Sequence, residues 1–562
     1  MQEFAMQPWT QIYDPLVSLA PGLPQYLLSA LAAAVPLFIL FYMLAVKRSP
    51  GHYAAFAGTL SAVLLAIFVW GMPAPLALNT TALGICFGLF PIIWIVVTAV
   101  WVYNMTVESG EFEILKTSLA NLTDDRRLQA IFIAFAFGAF LEGTAGFGTP
   151  VAITTAMLVG LGFNPLYAAG LCLIANTAPV AFGAIGVPVV VAAEVSKLDL
   201  MTVTKIIGRQ LPFLSVLVPF WLCMVMCGFK RSLEVLPAVL VAGLCFAVTQ
   251  FLSSNFHGPY LPDIMSAIVT LIGLIVLLRF WKPKAIWRFP DEPPVAADSA
   301  RAVYGTGQII RAWAPYLVLA IMVFIWGLQG FKGIMAPTVV NIHWPGLDKM
   351  VLQTTPIAAA TTPYAATFSL NLLTAGGTAI LLSGIIASFI MPNYGLGRAA
   401  RCFFRTCRQL RFPIATIAMV LGLAFIMNYS GMSSTLALAF TKTGRYYPFF
   451  APILGWLGVF LTGSDTSSNA LFCGLQRTTA EAVGVNPHLM VAANSSGGVT
   501  GKMISPQSIS VATAASGMVG QEGNLFRFTL RHSFTMTLVV CVITFLQAYW
   551  LGWMLPPTPP GM

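Results

Sequence analysis

The chain has 562 residues, 58% hydrophobic and 9% charged, with a mean hydropathy of +0.83. Soluble domains carry about 25% charged residues, so the composition excludes an ordinary soluble enzyme or binding module and indicates a polytopic membrane protein. The formal net charge of +10 is explained by basic loops on the cytoplasmic side of a membrane and implies no nucleic acid.

Residues 1–24 are polar and proline-rich. No basic n-region precedes an apolar h-region, so no cleavable signal peptide is expected. Apolar spans of about 20 residues follow near 25–46, 52–71, 83–105, 210–228, 235–252, 262–280, 313–328, 373–391, 412–428 and 532–553. Between them lie two hairpins, near 128–161 and 448–480, and two spans broken by Gly, Pro and polar residues, 166–191 and 488–515. Residues 107–127 and 431–447 read as interfacial segments before each hairpin, and 329–372 as a long polar-aromatic outer loop. The stretch 289–311, with Asp291-Glu292-Pro293-Pro294, reads as a linker between a first half, 1–288, and a second, 312–562. The expected fold is an all-α polytopic membrane protein, an inverted-repeat transporter with two re-entrant hairpins, two broken transmembrane helices and about 12–14 membrane segments.

The charges orient this set. Basic clusters occur at Lys47-Arg48, Lys230-Arg231, Arg279 to Arg288, Arg398 to Arg411 and Arg527 to Arg531. Placing them in the cytoplasm puts both termini outside. The first hairpin then enters from the cytoplasm and the second from the opposite side. Lys205 and Arg209 fall outside, against the trend, and Arg209 reads as an interface anchor. Nine scattered cysteines form no CxxC, and five histidines form no ligand-spaced cluster, so no metal site and no cofactor is expected.

The candidate site begins at Gly138 to Pro150, GAFLEGTAGFGTP. Glu142 lies inside apolar sequence, where a carboxylate costs about 3 kcal/mol and normally faces a cavity or a partner. Gly143, Thr144 and Gly146 follow, and glycines there let the backbone unwind against protein or water. The pattern returns about 320 residues later. Phe140-Leu141-Glu142-Gly143-Thr144 matches Phe460-Leu461-Thr462-Gly463-Ser464, Asn164-Pro165 matches Asn486-Pro487, Ala175-Asn176-Thr177 matches Ala493-Asn494-Ser495, and Pro188 matches Pro506. The second hairpin continues through Asp465 to Asn469.

Glu142 and Asp465 are therefore candidate proton carriers. Against that stands a structural reading, in which either caps a half-helix or pairs with a lysine. Lys502, in the broken part of the last such span, is a candidate for the substrate carboxylate; it could equally pair with Asp465 to hold the fold. Asn176, Thr177, Asn494, Ser495 and Ser496 can bind a hydroxy acid, or simply join helices. Ser464, Asn469, Gly143, Thr144 and Gly146 complete the expected binding set. The string GGVTGK is no phosphate loop, because the glycine spacing is wrong and Met503 follows the lysine.

Six stretches carry a further signature: GAFLEGTAGFGTPVAIT, GLGFNPLYAAGLCLIANTAPVAFGAIGVP, GRQLPFLSVLVPFW, NYSGMSSTLAL, GWLGVFLTGSDTSSNALF and VAANSSGGVTGKMISPQS. Across roughly residues 8–553 the chain resembles the bacterial lactate permease family, including its glycolate permease branch. The resemblance implies proton symport of 2-hydroxymonocarboxylates (L-lactate, D-lactate, glycolate) across the bacterial inner membrane. It also implies kinship with transporters that use paired re-entrant hairpins. Thr144 and Thr149 stand where the family pattern leads one to expect alanines, positions that could tune substrate choice. The implied partners are a small carboxylate, a proton and membrane lipid. Competing readings are a sodium-coupled carrier, an intramembrane enzyme, for which no nucleophile–base pair is evident, and a carboxylate channel or sensor.

Overall fold

The computed structural model of the protein describes residues 7–19, 24–47, 49–146, 148–290, 304–358 and 360–557. Among the described residues, 10 helices are long and apolar enough to cross a membrane. They begin with Leu27–Leu44, Gly51–Phe68 and Ala74–Glu108 and end with Glu522–Tyr549. The chain is thus a helical, multi-pass membrane protein. Thr149–Gly160 and Gly376–Ile390 are apolar but shorter, below the roughly 20 residues that span a bilayer.

Burial is inverted relative to a soluble protein. Phe38, Phe68, Leu78, Phe256, Ile272, Phe280 and Phe324 are exposed on peripheral helices, while Asn469, Asn494, Gln476 and Asp263 are buried. Hydrocarbon solvates the first set, and the polar groups must find partners inside. Helices from the two sequence halves interleave: Thr59 Oγ1 donates to the Met419 carbonyl at 2.8 Å, and a Cβ at Gly84 would lie 2.6 Å from the Leu421 carbonyl.

The same device starts one helix in each half. Asn164 accepts from the Leu166 N–H at 3.0 Å and Asn486 from the Leu489 N–H at 3.2 Å. Each is followed by a proline at the first helical position, where the missing N–H is no loss.

The two hairpin bases lie among different loops. At the first, the Arg127 side chain is fully buried. It donates to Asp125 Oδ2 (2.8 Å), Glu234 Oε2 (2.7 Å), the Arg231 carbonyl (2.8 Å) and the Ala285 carbonyl (3.1 Å). The second packs at Gly474 on Asn428, where Gln11 donates to the Asn428 and Tyr429 carbonyls, and Thr435 to the Tyr13 carbonyl.

Four segments differ from the sequence reading. The span expected from 210 starts at Leu200, because Asp199 caps it by accepting from the Thr202 N–H at 2.7 Å. Lys205 and Arg209 are therefore helical, and Arg209 ties Asn255 Oδ1 (2.8 Å) to the Met554 carbonyl (2.7 Å). The linker expected at 289–311 falls largely on 291–303, outside the described residues, and its last part already belongs to the helix Thr306–Gly327. Within the segment 431–447, expected at the interface, residues 432–440 form a helix with Met432 to Leu438 buried against the protein. The outer loop 329–372 is not irregular throughout. Val340–His343 pairs antiparallel with Thr367–Leu370, and Val351–Gln353 pairs with Thr362–Tyr364 and with Trp9–Thr10. The long connection satisfies its backbone groups by folding back on itself and on the N-terminal segment.

Candidate functional site

The first hairpin enters as a fully buried helix, Arg126–Thr144. Gly146 (φ 59°) and Gly148 (φ 81°) turn the chain, and Thr149–Gly160 returns it. In the second hairpin, Tyr447–Thr462 stops at Gly463 (φ 71°). Ser464 then caps Asp465–Val483 by accepting from the Ser467 N–H at 3.3 Å. Asp465 is thus the first residue of the helix rather than its cap, where the helix dipole favours negative charge.

Each half also contains an interrupted helix. Pro165–Ala175 and the piece that follows from Val180 to Ser196 meet at 65°. Within the second piece Ala184, Ile185 and Gly186 (φ 45°, 57°, 73°) make a left-handed turn, at about 1–2 kcal/mol for each residue bearing a Cβ. In the second half Pro487–Gly501 gives way to a tight turn, Lys502–Ile504, before Pro506–Ser516 begins behind the Ser505 cap.

The two tips and the two interruptions line one cavity of about 60 Å³. Glu142, Gly146 and Gly148 line it from the first hairpin, and Gly463, Ser464 and Asp465 from the second. Gly183, Ala184 and Pro188 line it from the first broken span, and Lys502 and Gln507 from the second. One water occupies about 10–15 Å³ on this measure, so the space admits about four to six water-sized groups.

Its charges are arranged asymmetrically. Lys502 Nζ lies 3.0 Å from Glu142 Oε1, with the side chains 9% and 3% exposed. Glu142 Oε2 has no hydrogen-bond partner. The carboxylate lies flat on Gly183, where a Cβ would come within 2.6 Å of Oε1. Asp465 rests against Gly498 in the same manner. Asp465 Oδ2 accepts from Ser495 Oγ at 2.5 Å and from Asn469 Nδ2 at 3.2 Å, and its Oδ1 is buried without a partner. The pairing is thus Lys502–Glu142, across the two halves, and not Lys502–Asp465.

The remaining expected residues stand behind the lining. Asn469 Nδ2 also donates to the Pro188 carbonyl (3.0 Å) and Ser495 Oγ (3.2 Å), and its Oδ1 accepts from Asn494 Nδ2 (2.9 Å). Asn494 Oδ1 accepts from Gln476, which is held by Tyr447. Asn494, Ser495 and Asn469 therefore form a buried network that holds Asp465. Thr144 Oγ1 donates to the Phe140 carbonyl of its own helix at 2.9 Å. The side-chain polar atoms of Asn176, and the hydroxyls of Thr177 and Ser496, are buried without partners.

Sequence reasoning missed Asp263. This residue, in the first turn of Pro262–Phe280, is 1% exposed and neither of its carboxyl oxygens has a partner. It packs on Gly143, where an added Cβ would lie 2.7 Å from Asp263 Cβ. The available signal was a carboxylate inside an apolar span, muted by its place just after a proline.

Comparison with known proteins adds the following. The L-lactate permease family model matches residues 29–551. The glycolate permease of Escherichia coli strain K12 is 51% identical over 560 residues, covering 97% of this chain and 99% of its own. The L-lactate permease of Bacillus subtilis strain 168 is 48% identical over 574 residues, covering 98% and 100%. That of Salmonella typhi is 50% identical over 559 residues, again covering 98% and 100%. Among solved structures, the YdaH transporter of Alcanivorax borkumensis aligns over 86% of this chain and 88% of its own at 15% identity. The TM-score is 0.45, a likeness too remote to support an argument.

Proposed function

The chain belongs to the L-lactate permease family, and on that premise we propose that it is a secondary transporter importing lactate and glycolate together with a proton across the bacterial inner membrane. It is a permease, not an enzyme. The observation that carries the reading is the cavity shared by both hairpin tips and both helix interruptions, with one ammonium and two carboxylates in its wall. Broken helices from two repeats meeting at one site are the recurrent architecture of alternating-access carriers.

The chemistry fits a small hydroxy acid. Lys502 offers three donors, of which Glu142 takes one, so a substrate carboxylate can share the ammonium. Ser464 and Gln507 line the same wall and can meet a 2-hydroxyl. Room for about four to six water-sized groups suits a two- or three-carbon acid.

Glu142 and Asp465 couple the proton in this scheme. The two hairpins act as re-entrant arms of an inverted repeat, divided near the linker. Support comes from their surroundings: the first hairpin starts among basic loops around Arg231 and Ala285, and the second packs at Gly474 on Asn428, whose carbonyl accepts from Gln11 of the N-terminal segment. One proton per monovalent anion moves no net charge. The pH gradient then drives accumulation, with little direct pull from the membrane potential.

The test is uptake of labelled lactate and glycolate into proteoliposomes under an imposed pH gradient, with counterflow as the carrier criterion. Accumulation in sodium-free buffer is expected. A strict sodium requirement, or current proportional to flux, contradicts proton symport at this stoichiometry. Undiminished pH-driven uptake in both Glu142→Gln and Asp465→Asn removes those two residues as its carriers.

A further inference from the structure

Resting on the proton-symport reading above, we propose that Asp263 is a further station of the translocated proton, beside Glu142 and Asp465, and holds it while Lys502 is engaged by Glu142. Three carboxylates and one ammonium share this region. Lys502 is engaged by Glu142 at 3.0 Å. Asp465 has two donors, Ser495 and Asn469, on one of its oxygens. Asp263 has none on either oxygen, and its carboxyl is shielded from solvent.

The partners decide between them. A buried carboxylate with no donor on either oxygen is costlier to hold as an anion than as a neutral acid. Asp263 is, among these three carboxyls, the one with no donor on either oxygen. The charged groups acting on it are Glu142, from the first hairpin, and Lys502, from the second interrupted helix. Buried Tyr260 is the titratable group just before it on its own segment. Gly143 is what brings it in: without a side chain there, the helix start at Pro262 packs directly against the residue next to Glu142.

This placement supplies a coupling rule. While Asp263 is neutral, the Lys502 ammonium serves Glu142 and has donors free for a substrate carboxylate. When water reaches Asp263 on the proton-poor side, its O–H bond breaks and the proton leaves with that water. The electron pair stays on the carboxylate. The new anion competes for Lys502 and expels the substrate. Proton and anion therefore favour each other's binding, and by linkage the effect is mutual.

The experiment uses full-length protein in proteoliposomes, comparing wild type with Asp263→Asn. The amide keeps shape and neutrality, so counterflow of preloaded lactate is expected to persist. Accumulation under a pH gradient is expected to vanish, along with lactate-dependent alkalinisation of the medium. Lactate binding by Asp263→Asn in detergent should no longer weaken as pH rises. Accumulation and proton movement at wild-type levels in Asp263→Asn overturn the proposal. If Asp263→Asn does not fold, Asp263→Glu is measured instead. A shifted pH midpoint of lactate binding supports the assignment, and an unchanged midpoint overturns it. Absence of proton movement in the wild type would instead defeat the symport reading itself.

Discussion

Replacing Lys502 by Gln tests the centre of the site. The ammonium and Glu142 are 3.0 Å apart and nearly sealed. At an effective dielectric constant of about 20, that separation corresponds to roughly 5.5 kcal/mol of attraction, before the desolvation that opposes it. Removing one partner of such a pair typically costs about 3–5 kcal/mol, because the other charge is stranded. A substrate carboxylate that depends on the same ammonium should lose a comparable amount. In Lys502→Gln the dissociation constant for lactate should therefore rise by about two to nearly four orders of magnitude. Calorimetry on detergent-solubilised protein measures it. Thermal unfolding of the same sample reads the structural part: Lys502→Gln should unfold earlier, and Glu142→Gln/Lys502→Gln should recover part of the loss. Near-normal lactate affinity in Lys502→Gln would refute the substrate role. Full recovery of binding in the double variant would show that the pair serves only the fold.

Gly183→Ala places a methyl 2.6 Å from Glu142 Oε1, so it should weaken lactate binding at least tenfold, about 1.4 kcal/mol, while the protein still reaches the membrane; wild-type uptake kinetics would disprove the contact. Asn494→Ala cuts the network behind Asp465 and leaves buried partners on Asn469 and Gln476 unsatisfied, at about 1–3 kcal/mol. A lowered melting temperature and reduced transport are expected, and unchanged values for both would contradict the network. Thr144→Ala should preserve the wild-type ratio of lactate to glycolate uptake, since the hydroxyl is spent on the Phe140 carbonyl. Arg127→Leu should destabilise the protein by about 3–5 kcal/mol, through the stranded Asp125, read as an earlier transition on thermal unfolding.

Most of the bundle was legible because hydrocarbon demands long apolar runs and tolerates few charges. The same pressure made Glu142, Asp465 and Lys502 conspicuous. Their pairing was not legible. Asp465 and Lys502 lie in the same half, whereas the ion pair runs to Glu142, 360 residues away, a choice made by packing between repeats. Asp263 escaped notice because a carboxylate in the first turn of a helix is ordinary on dipole grounds. Nothing local reveals that its helix begins in the interior, against Gly143. The small sheets at 340–370 were illegible for another reason. Their strands are three or four residues long, and one pairs with Trp9–Thr10 from the far end of the chain, which no local pattern encodes.

In the proposed carrier, the buried guanidinium of Arg127 bears on how the two faces would alternate. It joins Asp125, Arg231, Glu234 and Ala285 at one end of the first hairpin. Swinging that end would tear several charge-assisted bonds at once. At the opposite end the chain turns through Gly146 and Gly148 in the left-handed region (φ 59° and 81°), and among the described residues the ion pair there is the single Lys502–Glu142 contact. If the proposed carrier works by moving this hairpin, Arg127 is where it would pivot and Glu142 lies toward the end that would travel, so a small angular change would part the ammonium from its carboxylate.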